Sequence, residues 1–408
     1  MQDTLASRER AVSYLPSIDG LRGIAILLVL WYHAPFLFRD LPVFTHNDSS
    51  PWAALGFVGI MSLGGWVGVD LFFVISGFLI TTILLHLKDW GAPSWVFWQR
   101  RGLRILPLAM LYLLVLLVLD WIGDPLKLLA QFNGWIWYAF FLGNIHIALH
   151  GWQPLAVMIL WSLAIEEQFY LAWPLLVRFL SRRWLLWWSG GLIALSPVVR
   201  AFMLSIADYP ATFVFTFCRL DALAAGGVMA LVLDHPAWKT KAADLCKRLA
   251  PFATIIFLMT FFVPFSPSFA ETRSWSFSVF GYTWLAISLA ILLGASLNSQ
   301  GILGAFLQAR ALMFLGKRCY GLYMWHVLIA GIVTAGLQPF EFGFTAHILL
   351  WLATLLIFAS ASWLMFEKPF LGLKKFLPYG NAPLVKSETP TEIKGPPTRA
   401  VVQPSSLS

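Results

Sequence analysis

The chain has 408 residues, 59% of them hydrophobic and only 12% charged, with a mean hydropathy of +0.75. A soluble protein of this length has too little interior for that much apolar side chain, so composition points to a polytopic helical membrane protein. The formal net charge of +8 raises nucleic acid as a partner, but the basic residues sit between apolar runs and mark topology instead. Cys218, Cys246 and Cys319 form no CxxC pair and adjoin no His cluster. That argues against a disulfide framework and against a bound metal.

The first apolar run, 17–38, lacks a small-residue cleavage site and reads as a retained spanning helix. It carries Arg22 near its start and His33 near its end. Eleven residues of helix advance about 16 Å and return to within about 20° of whole turns, so both groups share one face. Ionisable groups in lipid are costly, which makes the pair a functional hypothesis. The plainer reading is that Arg22 snorkels to headgroups and His33 sits in the far interface.

Further apolar runs occupy about 66–87, 103–122, 134–150, 158–180, 184–204, 211–233, 250–265, 278–297, 319–338 and 345–366. If 134–150 dips in without crossing, nearly all loop Lys and Arg fall on one side, leaving Arg39, Lys127 and Arg273 opposite. The expected fold is therefore an all-α bundle of about ten transmembrane helices in the cell (inner) membrane, with both termini cytoplasmic. The stretch with Trp135, Trp137, Asn144, His146 and His150 becomes a re-entrant or interfacial segment. Residues 1–16 form a cytoplasmic N-terminal segment, 17–370 the transmembrane domain, and 371–408 a disordered cytoplasmic tail, Pro/Ser/Thr/Lys-rich from Pro378.

Several constellations bear on candidate chemistry. Arg100, Arg101 and Arg104 stand together at the cytoplasmic mouth, either as positive-inside anchors or as a clamp for phosphate oxygens. Trp95, Phe97 and Trp98 could add a stacking surface for a base. In GGWVGVDLFFVISGF the glycines read as helix packing, whereas Asp70 at that depth needs a partner. In WSLAIEEQFYLAWP, Ser162, Glu166 and Tyr170 form one stripe, and Glu167 points about 100° away. A carboxylate bonded to an imidazole raises its basicity, as a general base requires. Arg219 and Asp221, like Arg200 at similar depth, suit a structural or a functional role equally. Tyr320, Tyr323 and His326 lie in the inner half, where a lone His is more often an interhelical hydrogen-bonder. Glu367 beside Lys368 reads as an exposed terminal ion pair.

The motifs SIDGLRGIAILLVLWYH, GVDLFFVISGFLI, FWQRRGLRILP, WSLAIEEQFYLAWPL, RLDALAAGG, YGLYMWH and FEKPF, in this order, resemble the acyltransferase-3 family of integral membrane O-acyltransferases. The resemblance runs from residue 17 to 370. It implies ten helices and transfer of an acyl group, commonly acetyl, from cytoplasmic acyl-CoA to a saccharide or glycoconjugate hydroxyl at the outer face. It assigns the family's Arg/His pair to Arg22 and His33, its acyl-CoA motif to Arg101 and Arg104, and its glutamates to Glu166 and Glu167. Asp19, Asp70, Ser162, Tyr170, Arg219, Asp221, Tyr323 and His326 are the expected substrate or supporting residues. Ile159 and Cys319 stand where many members carry His and Ser, which leaves the acceptor open. No appended hydrolase-like domain follows the helices, so a stand-alone form is expected.

On this reading acyl-CoA places its phosphates on Arg100, Arg101 and Arg104, and its arm rises past Arg22. His33, held by Glu166 or Glu167, deprotonates the acceptor hydroxyl. Transfer is direct or passes through an acyl group on His33 or Ser162. The rival classes are a transporter or flippase, with buried charges as substrate or proton path, and a sensor that binds acyl-CoA without turnover. The transporter reading finds no inverted repeat to support it.

Overall fold

In the computed structural model the described residues are 15–37, 64–130, 132–207, 209–262, 275–297, 299, 301–337, 340 and 342–377. Residues 1–14 and 378–408 lie outside them, whereas 371–377 of the tail expected from 371 are ordered, continuing a helix into a 3-10 turn over Leu373–Phe376. No strand occurs among these residues. Their helices are α1 (Pro16–Leu37), α2 (Val67–Asp89), α3 (Ser94–Trp121), α4 (Trp135–Ala139), α5 (Gly143–His150), α6 (Leu155–Met158), α7 (Trp161–Phe179) and α8 (Arg182–Ile206). Then follow α9 (Tyr209–Val214), α10 (Leu220–Asp234), α11 (Pro236–Phe262), α12 (Tyr282–Ser296), α13 (Gly301–Leu307), α14 (Arg310–Leu337), α15 (Phe344–Ser362) and α16 (Lys368–Gly372). By length and composition, 7 of these segments, some joined to short adjoining turns, could cross a membrane. The protein is an all-α, multi-pass membrane protein.

The segment expected not to cross does not. Its helices α4 and α5 have 5 and 8 residues, reaching at most about 12 Å against a hydrocarbon core of about 30 Å. Several polar groups of this segment are tied to the bundle. Gln168 Nε2 of α7 donates to the Phe141 carbonyl at 3.0 Å and to Asn144 Oδ1 at 2.9 Å. Asn144 Nδ2 in turn donates to Thr216 Oγ1 at 2.8 Å. These bonds satisfy Asn144 and the Phe141 carbonyl, as irregular structure at membrane depth requires, whereas the Tyr138 hydroxyl and His146 Nδ1 are buried without a partner.

Cations cross-link one end of the bundle. Lys88 Nζ, at the end of α2, donates to the Val177 carbonyl of α7 at 2.9 Å and to the Leu180 carbonyl that follows it at 2.5 Å. Arg182 bridges Asp89 and Asp234. Arg100 Nη1 donates to the Leu377 carbonyl at 2.8 Å. The starts of α1, α3, α8 and α14 and the ends of α2, α7, α10 and α15 therefore share this basic end, as alternating passes require.

Two departures from the expected runs matter below. The run expected at 211–233 breaks at a 3-10 turn, Thr216–Cys218, which leaves Arg219 at the head of α10. The stretch before the expected run 250–265 is already helical from Pro236, because proline is well suited to the first turn and no breaker follows before Pro251.

Close helix approach rests on glycine. A Cβ on Gly226 of α10 would lie 2.1 Å from the Val74 carbonyl of α2, and one on Gly77 of α2 would lie 1.9 Å from the Leu223 carbonyl of α10. Gly226→Val should therefore separate α2 from α10 at a cost of about 1–3 kcal/mol or more. It should lower the detergent-solubilised thermal midpoint by several degrees, whereas Gly190→Ala, with nothing within 4 Å, should leave it unmoved.

Candidate active site

Two cavities open into the bundle from its basic end. The larger, about 760 Å³, is lined by Arg22, Arg100, Arg101, Arg104, Lys374 and Lys375 among others. Its size falls within the roughly 300–1,000 Å³ of small-molecule and cofactor sites. The smaller, about 90 Å³, lies deeper among α2, α3, α7 and α14 and is lined by Ser76, Ser162, Glu166 and Tyr323 with an apolar wall. Arg22, Arg101, Arg104, Cys319 and Tyr320 line both. They form a neck.

Arg101 and Arg104, expected in a clamp with Arg100, line both cavities and Arg100 the larger, and the three are engaged differently. Arg100 Nη1 is engaged by the carbonyls of Lys374 at 3.3 Å and Leu377 at 2.8 Å. Arg101 Nη2 donates to the Tyr170 hydroxyl at 2.5 Å, and its guanidinium lies 4.2 Å from the centre of that ring. Tyr170 donates to Glu166 Oε2 at 2.8 Å, and Ser76 Oγ to Oε1 at 2.8 Å. Trp98 Nε1 holds the Tyr170 carbonyl at 2.8 Å, and Phe97 is core, so of the three aromatics only Trp95 is an exposed face. Arg22 Nη1 lies 3.8 Å from Asp19 Oδ1 on the preceding turn.

The imidazole is oriented by backbone. His33 Nδ1 donates to the Val29 carbonyl at 2.9 Å, since a carbonyl can only accept. This leaves the Nε2 lone pair of the neutral ring available. Neither glutamate bonds His33: Glu166 is taken up by Ser76 and Tyr170, and Glu167 Oε1 is shielded without a hydrogen-bond partner. The neighbour of His33 is instead His326 of α14, with ring centroids 4.8 Å apart. His326 Nδ1 donates to the Tyr323 carbonyl at 2.6 Å, while its Nε2 is buried without a partner. So the His326 side chain bonds within its own helix, and the interhelical bond at this residue is made by its carbonyl, which accepts from Trp351 Nε1 of α15 at 2.9 Å. The Tyr323 hydroxyl donates to the Ile159 carbonyl at 2.7 Å and accepts from Ser162 Oγ at 2.8 Å. From neck to imidazole the order is Arg101, Tyr170, Glu166 and Ser76, then Ser162 and Tyr323, then His326 and His33.

Other predicted residues lie apart from the cavities. Asp70 finds its partner in Arg219, 2.5 Å away, both 1% exposed, and this guanidinium sits 4.5 Å from the Tyr282 ring centre. Asp221 takes Arg200 Nη1 at 2.9 Å and Thr283 Oγ1 at 2.7 Å. Both pairs join packed helices and line neither cavity. Cys218, Cys246 and Cys319 are free thiols.

One expectation is overturned. Glu367 is no exposed terminal ion pair: it is 7% exposed, its Oε1 has no hydrogen-bond partner, and it lines the larger cavity. The cause is a π-helical turn over Trp363–Glu367. The inserted residue rotates Glu367 inward from where an unbroken α-helix would leave it.

A family profile described as an acyltransferase domain matches residues 15–367. The chain is 27% identical to O-acetyltransferase OatA of Staphylococcus aureus, across 92% of this chain and 60% of that protein. It is 29% identical to peptidoglycan O-acetyltransferase OatA of Listeria monocytogenes, across 87% of this chain and 56% of that protein. The chain thus spans less than two thirds of either relative. No solved structure matches it.

The buried Asp70–Arg219 pair yields a stability prediction. Asp70→Ala strands Arg219 at 1% exposure and should cost about 3–5 kcal/mol, whereas Asp70→Ala with Arg219→Leu should recover much of that loss. Thermal unfolding in one detergent checks both.

Proposed function

We propose, from the premise that this chain belongs to the acyltransferase domain family over residues 15–367, that it transfers an acetyl-sized acyl group from acyl-CoA to a saccharide hydroxyl. The observation that carries this reading is the pair of cavities joined at a cationic neck, the smaller lined by Tyr323, whose carbonyl holds His326 Nδ1 beside His33. The names of its relatives support a cell-wall saccharide as acceptor. The excess of basic residues at the cavity mouth supports placing that end, and both termini, in the cytoplasm, with the acceptor on the other side of the cell membrane.

The residues present fit the co-substrate. Arg22, Arg101 and Arg104 offer guanidinium donors at the neck, where phosphate oxygens and a thioester arm would pass. Tyr170 and Glu166 are positioning residues, because they fix where the Arg101 guanidinium points. His33 is the general base through Nε2. As the acceptor oxygen bonds the thioester carbonyl carbon, its proton moves to His33. The carbon–sulfur bond then breaks, and that proton passes to the leaving thiolate, giving an ester and a free thiol. His326 borders the base, and Ser162 and Tyr323 border the small cavity.

Purified protein given labelled acetyl-CoA and cell-wall saccharides should form labelled ester. His33→Ala should lower this by about 10²–10⁴-fold, and near-wild-type transfer by that variant would refute the assignment. Tyr170→Phe should act on Arg101 and raise KM for acetyl-CoA by about tenfold, with kcat changed less. A kinetic titration of acetyl-CoA measures the split.

A further inference from the structure

The geometry points to the 90 Å³ cavity as the pocket for the transferred acyl group, with Val69 and Leu163 setting the longest chain it takes. This rests on the acyltransferase reading above and adds a substrate limit to it. A thioester whose phosphates lie on the neck arginines leads with its acyl end. Beyond Arg22, Arg101, Arg104, Cys319 and Tyr320 the space that continues from the neck is the smaller cavity.

Volume then decides the chain length. A dry cavity of about 150 Å³ lined by Leu, Ile and Phe holds benzene, with its six carbons. On that scale the space of about 90 Å³ takes about three or four non-hydrogen atoms, enough for an acetyl or propionyl group. The walls have little room to yield, since packed interiors respond to a single methylene. Phe73 is 1% exposed and meets Trp161 edge-on at 6.0 Å. Ile105 is 4% exposed, and its carbonyl accepts the Tyr320 hydroxyl at 2.8 Å.

Val69 of α2 and Leu163 of α7, buried at 8% and 7% exposure, are different. Their side chains fill space without holding any polar contact. Truncating either enlarges the pocket and leaves the Ser76–Glu166–Tyr170–Arg101 bonds untouched. Ser162 and Tyr323 also line the pocket, and both hydroxyls are held by the Ser162–Tyr323–Ile159 bonds.

The test measures kcat/KM of the detergent-purified full chain with acetyl-, butyryl-, hexanoyl- and octanoyl-CoA and one saccharide acceptor. The wild type should lose about tenfold or more for each methylene beyond the chain that fits. Leu163→Ala and Val69→Ala should each move that cut-off outward by about two carbons, consistent with the volume removed. The affinity for hexanoyl-CoA relative to acetyl-CoA, measured by calorimetry without acceptor, should rise by tenfold or more in the same variants. Because the two residues lie on different helices, misfolding of one variant leaves the other to decide. Equal use of acetyl- and octanoyl-CoA by the wild type, or an unmoved cut-off in both variants, would overturn the pocket assignment and leave the transfer reading standing. Product from no thioester at all would sink the transfer reading itself, and this inference with it.

Discussion

The site depends on one constraint: a guanidinium taken out of water must be told where to point. At the neck, Arg101 meets that constraint through the Tyr170 hydroxyl and ring, and Tyr170 is fixed in turn by Glu166. Glu166 is fixed by Ser76 on another helix. One chain of hydrogen bonds thus registers α2, α3 and α7 against each other and leaves the Arg101 Nε unsatisfied. In a low dielectric that orphaned donor is a standing attraction for an anion. The same bonds that set the helix register also keep the cation on the path between the two cavities.

The depth of the charges was legible in the sequence, and their partners largely were not. Asp70 had to be neutralised at its depth, and Arg219 does so. The stripe through Glu166 and Tyr170 is present as an actual hydrogen bond, because helical periodicity alone brings i and i+4 together. What orients His33 escaped sequence reasoning for a physical reason. Every residue carries a carbonyl, so no residue type flags Val29 as the acceptor, whereas adjacent glutamates invite pairing with any nearby imidazole. Glu367 escaped because a π turn changes the face of every later residue and leaves no compositional mark. The break ahead of Arg219 had a weak signal in Phe-Cys-Arg, hidden inside an apolar run.

The buried ion pairs divide into two groups by what they line. Asp70–Arg219 and Arg200–Asp221 bind α2, α8 and α10, and neither borders a cavity. Arg200 also reaches the carbonyls of Val279 and Cys218, so it closes the gap left by the 3-10 turn. These are bonds that hold a scaffold. The charges that border space are Asp19, Arg22, Glu166, Lys317, Glu367 and the basic cluster of α3 and the C-terminal turns.

That division bears on the choice between an acyltransferase and a transporter. A path for a charged substrate would need fixed charges continuing past the neck toward the opposite end. Beyond Glu166 the groups reached next are a serine, a tyrosine and two histidines, of which both histidines donate Nδ1 to backbone carbonyls. Each neutral ring therefore has its other nitrogen as an acceptor, a state suited to taking a proton from a hydroxyl. The polar chain ends at the two histidines, and the cavity space narrows from about 760 to about 90 Å³. A large polar ligand can enter the outer chamber from the basic end but cannot pass whole. Tyr323 lines the narrow part and its carbonyl holds His326 Nδ1, an arrangement that favours the group-transfer proposal over passage of a whole ligand.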